Sequence, residues 1–280
     1  MAKGNFIEYV VSDNPNKYPN GGEQGGYYYE LYGKPLKIVT WAGGTDEEIV
    51  AMVEAADRGE INLSDYWSVG DTRTVQLSAM SAMGVGESHA AQKVDLVLMH
   101  AGGYELADGS TCNFIVGQKH ALSTYGYMNS SSTNSGSWDG CARRTWCNEV
   151  YKNAIPESLR SIFKQFKTIT AETYNGTTLK TSLDYFALPA AKEIFGGTAT
   201  SAGSSTSYSN LTEFNALFQF EWYKTPSNRN KKGTSGYYAH WWERSPYYGG
   251  SNRFCRVFNN GTADINDANK TLGLAPFGCI

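Results

Sequence analysis

The sequence predicts a mixed α+β domain built on short, mostly antiparallel strands with two main helices. Three observations point there. The runs TVQLSAM, KVDLVLMHA and CNFIVGQ follow one another between Gly-containing turns and alternate apolar with polar residues, as half-buried strands do. Only two stretches in the second and third quarters of the chain carry helical spacing, and the later part is dense in aromatic, strand-like runs, FNALFQFEWY and YYAHWWERS. Helices and strands do not alternate as in βαβ units, and neither GxGxxG nor a Walker loop occurs, which disfavours a parallel nucleotide-binding sheet.

Taken in order, residues 1–65 read as an extended N-terminal arm and a short helix that serve attachment and oligomerisation. NFIEYVV has the pattern of a strand that docks onto another subunit, and Asn14–Gly33, rich in Pro, Gly and Asn, has no helical period. In TDEEIV, Thr45 and Glu48 form a capping box; Ile49, Met52, Val53 and Ala56 share the following helical face, and Gly59 stops it. The main domain is placed at 66–280, from Tyr66, where the alternating runs begin. One helix is expected from Asp139 to Lys152, continuing past Pro156 into PESLRSIFKQF, where Leu159, Ile162, Phe163 and Phe166 recur at helical spacing. A second, PAAKEIF, stops at Gly196. GGTATSAGSSTSYSN reads as a loop, and GLAPFGCI as a closing core strand.

With 41% apolar residues, the 280-residue chain can bury a sizeable core. A formal charge of -3 and a pI near 5.9 offer no basic surface in bulk, so nucleic acid and anionic membranes are disfavoured. No run approaches membrane-spanning length and no signal peptide is evident, so nothing reads as secreted or anchored. The 19 Tyr and 30 Gly, with Ser and Asn, form the palette of ligand-contacting loops: rigid amphipathic area plus adaptable hydrogen bonding. Five cysteines without CxxC spacing read as buried thiols. Neither the four scattered histidines nor ADINDAN, which lacks the central Gly and terminal Glu of a calcium loop, suggests a metal site, and no cofactor is implied. There is no GxSxG nucleophile turn.

Two motifs place arginine beside tryptophan. Trp138, Arg143, Arg144 and Trp146 lie in SWDGCARRTWCN, and Trp241, Trp242, Glu243 and Arg244 in HWWERS. Guanidinium can stack on indole while a carboxylate fixes it, so these residues are expected to support the core, with His240 packed on a neighbouring indole.

The ordered set YWSVGDTRTVQLSA, GYMNSSSTNSGSWDGCARRTWCN, AIPESLRSIFKQF, SLDYFALPAAKEIFG, WWERSP and GLAPFGCI resembles a domain of uncharacterised function (DUF6273-like) found in tail-associated proteins of phages and prophages of Gram-positive bacteria, and in some bacterial surface proteins. The resemblance runs from about Tyr66 to Ile280. Its final segment is similar to C-type-lectin-like folds, including the formylglycine-generating enzymes and the variable proteins of diversity-generating retroelements. That resemblance implies a C-type-lectin-like domain whose ligand surface lies near the C-terminus. Such retroelements mutate template adenines, so an Asn codon never becomes Lys, Gln, Glu, Met or Trp, and none of these five occurs between Tyr247 and Asn269. The expected ligand residues are Tyr247, Tyr248, Gly249, Ser251, Asn252, Arg253, Arg256, Phe258, Asn259, Asn260, Asp264, Asn266 and Asp267. Phe254, Cys255, Val257 and Ala263 would be the fixed scaffold between them.

The resemblance therefore implies a host-adhesion protein of a phage tail tip, assembled in the host cytoplasm and carried on the virion, that binds a bacterial cell-surface receptor, protein or glycan. Its further partners would be other tail or baseplate subunits and copies of itself, a trimer among the arrangements. Two alternatives stand beside it: an oxidase of the formylglycine-generating kind, needing Cys255 and Cys279 as a reactive pair, and a structural baseplate or decoration protein. The EPN, QPD and WND triplets of calcium-dependent sugar binding are missing.

Overall fold

A computed structural model describes residues 8–9, 28–31, 34–122, 125–197, 210–233 and 236–280. The first strands, β1 (Glu8–Tyr9), β2 (Tyr28–Leu31) and β3 (Lys34–Lys37), form one antiparallel sheet, so the strand expected to dock onto another subunit pairs within its own chain. The rest of the arm and most of the Gly/Ser/Thr loop after Gly197 lie outside the described residues. Helix α1 (Asp46–Asp57) starts on the capping box: Thr45 Oγ1 accepts from the Glu48 amide at 3.3 Å, and Glu48 accepts from the Thr45 amide at 2.9 Å. Asp46, Glu47 and Glu48 add the negative charge that a helix N-terminus favours. Its buried face is Ile49, Met52, Val53 and Ala55; Ala56, placed on that face by spacing, is only half-buried.

α1 is not an appendage. Trp67 Nε1 donates to Val39 O at 2.8 Å, the Trp41 and Trp67 ring centres are 5.4 Å apart, and Arg73 binds Asp46 together with the carbonyls of Trp41 and Gly44. Leu36, Trp41, α1 and Trp67 share one core with the rest of the chain, so the packed body begins at Leu36 and not at Tyr66.

The expected alternating strands form β4 (Thr72–Leu77), β5 (Gln92–Ala101) and β6 (Phe114–Gln118). They belong to an antiparallel sheet of order β4-β5-β6-β13-β9, where β9 is Phe186–Ala187 and β13 is Phe277–Cys279. The closing segment GLAPFGCI is therefore an interior strand, its residues fully buried around β13.

Helical structure runs through α2 (Ala142–Trp146), a π-helical turn (Cys147–Tyr151) and α3 (Lys152–Ala154). Ile155, preceding Pro156, is extended with ψ 136°, as the proline ring requires, and α4 (Glu157–Arg160) is a separate single turn. Phe166, expected to extend that helix, instead opens β7 (Phe166–Ala171), which pairs with β8 (Leu179–Asp184). α5 (Ala191–Phe195) ends at Gly196, φ +70°. The run FNALFQFEWY is not a strand; 3₁₀ turns at Thr212–Ala216, Glu221–Lys224 and Pro226–Arg229 bury Phe214, Phe220 and Tyr223 without a ladder partner.

The third sheet, β10 (Trp241–Pro246), β11 (Arg253–Val257) and β12 (Ala263–Asp267), rests on the buried Trp and Arg residues. Trp241 Nε1 donates to Arg229 O at 3.0 Å and Trp242 Nε1 to Gly126 O at 2.9 Å. Arg143 lies over the Trp146 ring at 4.7 Å and donates to the carbonyls of Tyr127 and Val85; burial brings its pKa down to about 10. Arg144 Nε reaches Asp184 at 2.6 Å, where Trp138 Nε1 (2.9 Å), Asn148 Nδ2 (2.9 Å) and Thr168 Oγ1 (2.6 Å) also donate. One expected pairing is corrected. Arg244 binds Glu193 on α5 and Tyr104 Oη, and it lies over Phe277 instead of an indole. Both carboxylate oxygens of Glu243 are buried without a hydrogen-bond partner, and burial raises its pKa strongly. His240 packs edge-on to Phe258 at 4.4 Å, not on an indole.

Candidate ligand-binding face

The β10–β12 sheet separates the expected ligand residues into two groups. β10 and β11 are joined by a turn at 247–252, β11 and β12 by one at 258–262, and antiparallel strands put these turns at opposite ends. Five residues of β11 at about 3.3 Å each hold them roughly 15 Å apart. The scaffold between is as expected: Phe254, Cys255, Val257 and Ala263 are all buried.

At the first end Tyr247 is 5% exposed and packs with Cys255, Ala263, Ala191, Leu211 and Phe214, so it is core and not contact surface. Tyr248, Gly249 and Ser251 are exposed. The turn is tied to the 129–137 loop, since Asn134 Nδ2 donates to Gly250 O (2.8 Å) and Arg253 O (2.7 Å), and its amide to Ser251 O. Asp267 accepts from Asn252 Nδ2 at 2.9 Å and pairs with Arg253 at 3.2 Å, while Asn266 Oδ1 accepts from the Asp267 amide.

At the second end Arg256 Nε and Nη2 both donate to Asp264 Oδ2, at 2.9 and 2.6 Å, so these two charges neutralise one another across the ladder. Phe258 is held between His240 and the Arg256 guanidinium, 5.5 Å away, and His240 Nδ1 accepts from the Asn259 amide at 3.2 Å. Asn260 Oδ1 binds the Thr262 amide and hydroxyl. Gly261, φ +82°, lies against Arg229 and Asn230, where a Cβ would meet the Asn230 side chain. Asn259 and Asn260 remain exposed.

Beside this second end stands a feature that the search for ligand residues passed over. Residues 231–233 and 237–239 run antiparallel to one another, Ala239 N donating to Lys231 O (2.8 Å) and Gly233 N to Tyr237 O (2.9 Å). The fold displays Tyr237 at 79% and Tyr238 at 51% exposure, the two most exposed large apolar side chains among the described residues. Tyr125, also exposed, comes close to Gly233. Next to them a cavity of about 440 Å³ is lined by Thr74, Lys93, Asp95, Gln118, His120 and Lys232, among others. Burial, then Lys231 and Lys119, hold His120 below its ordinary pKa. The overlooked signal is KKGTSGYYAH, which combines the Tyr/Gly/Ser palette with adjacent lysines.

The cysteines are all free and buried. Cys255 belongs to the small cluster around Tyr247, whereas Cys279 is hydrogen-bonded to Cys112 in the main core, so the pair needed for oxidase chemistry is not brought together. Burial raises the thiols of Cys147 and Cys279, and that of Cys141 to about 11. Among the described residues no three His, Cys, Asp or Glu side chains gather as a metal site, and no helix is long and apolar enough to cross a membrane.

Residues 114–280 match a family described as a domain of unknown function (DUF6273). The matched region spans β6 to β13 and starts later than the resemblance seen from Tyr66. No curated protein and no solved structure matches the chain.

Proposed function

The chain belongs to the DUF6273 family, and from that premise we propose that it is a ligand-binding module: a host-adhesion protein of a phage tail tip that contacts a bacterial surface receptor. The observation that carries this reading is the display of Tyr237 and Tyr238 on the segment that lines the cavity with Lys232, Gly233 and Gly236 and leads into His240, which binds the Asn259 amide. Large rigid side chains kept in water cost solvation and are favoured where a partner will cover them. The frame beneath is fixed by Trp241, Trp242, Arg143 and Arg244, which suits a preorganised contact surface.

In this reading the fold is of the C-type-lectin-like kind. The N-terminal segment ahead of Leu36 fastens the module to tail or baseplate subunits and to other copies of itself, which multiplies a modest single-site affinity. The segment 247–269 is a candidate for retroelement diversification, with buried Phe254, Cys255, Val257 and Ala263 as its constant positions. A near-identical template repeat and a reverse transcriptase in the neighbouring DNA would establish that point; their absence would remove it.

The test is adsorption of the purified chain to host cells. The double variant Tyr237→Ala, Tyr238→Ala should lose binding while its unfolding free energy stays within about 0.5 kcal/mol of wild type, as for other exposed substitutions. Unchanged adsorption would discard this face as the receptor contact.

A further inference from the structure

The cavity beside Tyr237 and Tyr238 has a charge unlike that of the chain as a whole. Lys93 and Lys232 line it. Behind its wall Lys231 Nζ donates to Gln118 O at 2.5 Å and Lys119 O at 3.4 Å, with no carboxylate among these partners. Lys119 lies near enough to act electrostatically on His120 in the lining, as Lys231 and Lys232 do. The ion pairs formed by lysine among the described residues involve Lys37, Lys164, Lys167 and Lys180 and none of these four. Asp95 is the carboxylate in the lining, and its Oδ1 accepts from Thr74 Oγ1 at 2.6 Å. In a chain of net charge -3, the charged side chains that line the cavity are Lys93 and Lys232 against Asp95 alone.

We propose that this cavity binds an anionic saccharide, a sugar unit carrying a carboxylate or a phosphate, with the lysines taking the anion and the exposed tyrosines the ring. The proposal rests on the ligand-binding reading above and names the class of ligand. The C–H face of a pyranose is apolar and weakly positive, so it settles on the electron-rich face of an aromatic ring; exposed Tyr125 lies close to Gly233 of the lining, and exposed Tyr237 and Tyr238 follow Gly236 of the lining in the chain. Thr74, Asp95, Gln118 and His120 offer the mixture of donors and acceptors that sugar hydroxyls need. The volume falls in the lower part of the range for small-ligand sites, about 300–1,000 Å³, enough for a short saccharide and too small for a duplex. A neutral sugar would leave the lysines uncompensated, and a simple anion would leave the tyrosines unused.

Calorimetric titration of the full chain decides the matter, with four probes: a glucuronate-containing disaccharide, its uncharged glucose counterpart, that counterpart carrying a phosphate monoester, and inorganic phosphate. The uronate or the sugar phosphate should bind, more weakly as salt rises, and at least tenfold more tightly than both the neutral sugar and inorganic phosphate. The two charged arms tell carboxylate from phosphate. In Lys93→Gln, Lys232→Gln, whose fold is checked by circular dichroism, the affinity should fall at least tenfold. Equal binding of the neutral sugar, equal binding of inorganic phosphate, or binding of none of the four would each overturn the proposal. Its failure is separable from that of the adhesion reading. If the lysine variant adsorbs to cells normally while the tyrosine variant does not, the saccharide site is wrong and adhesion stands. Anionic-saccharide binding without any cell adsorption means the reverse.

Discussion

Replacing Lys231 with Met removes an ammonium group that is fully buried and has no counter-charge. Its partners are the carbonyls of Gln118 and Lys119 and the faces of Tyr223 and Trp241, 5.3 and 5.1 Å away. Burial draws the amine down from 10.5 to about 7. Below pH 7 the folded and unfolded chains both carry the proton, and the cost of burying the charge is present in full. Between pH 7 and 10.5 the unfolded chain is protonated and the folded one is not, so stability rises with pH. At about 1.36 kcal/mol per unit, the complete shift is on the order of 4–5 kcal/mol. About 2.5 kcal/mol of it falls between pH 6 and 9. Lys231→Met escapes that cost but orphans two carbonyls, each worth about 1 kcal/mol. Urea denaturation at pH 6, 7, 8 and 9 should therefore find the variant more stable than wild type at pH 6, with the advantage shrinking steadily above pH 7. A stability gap that does not change with pH across this window would refute the reasoning, because it would mean that Lys231 keeps its proton throughout.

Three further outcomes are expected. Tyr247→Ala should lower the unfolding free energy by about 3 kcal/mol, as a large aromatic deleted from a core does, while Tyr248→Ala changes it by less than about 0.5; equal effects in thermal melts would return Tyr247 to the surface. Glu193→Gln leaves Arg244 buried without its counter-charge and should cost about 3–5 kcal/mol in urea denaturation, whereas a loss under about 1 would show that Tyr104 and the Leu188 carbonyl suffice. His89, lowered from 6.5 to about 4 by burial and then by Arg143, contributes stability that is complete above pH 6.5 and lost as pH falls toward 4. Its replacement by Gln should reduce the acid sensitivity by about 2.4 kcal/mol, read from denaturation at pH 7 and pH 4.5.

What the sequence revealed follows from the range of the forces involved. The capping box at Thr45 and Glu48, the strands β4 to β6 and the Gly196 stop are set by residues a few positions apart, and each was legible. Spacing alone carried the helix through to Phe166, but Pro156 breaks it and Phe166 is claimed by a ladder with Asp184. The core role of Trp138, Arg143, Arg144, Trp146, Trp241, Trp242 and Arg244 was legible from their composition. The partner of Arg244 was not, because Glu193 approaches from α5 while adjacent Glu243 points elsewhere. The candidate site divides the same way. The alternation that buries Phe254, Cys255 and Val257 shows in the order of residues, whereas the placing of the two turns at opposite ends needs the strand directions. The cavity draws its lysines from Lys93 and Lys232, on two distant segments that no bulk charge count could bring together.

The insertion of β13 between β6 and β9 has a kinetic consequence. Phe277 pairs with Gly117, 160 positions earlier, so the central seam of the largest sheet waits for the longest loop closure among its strand pairings. Until that closure, β6 offers a bare edge of Phe, Ile and Val to any other nascent chain, the condition under which edge-to-edge aggregation competes with folding. Production of this protein should accordingly be limited by how quickly β13 arrives, and dilution or lower temperature during refolding should recover more native protein than any adjustment of its final stability.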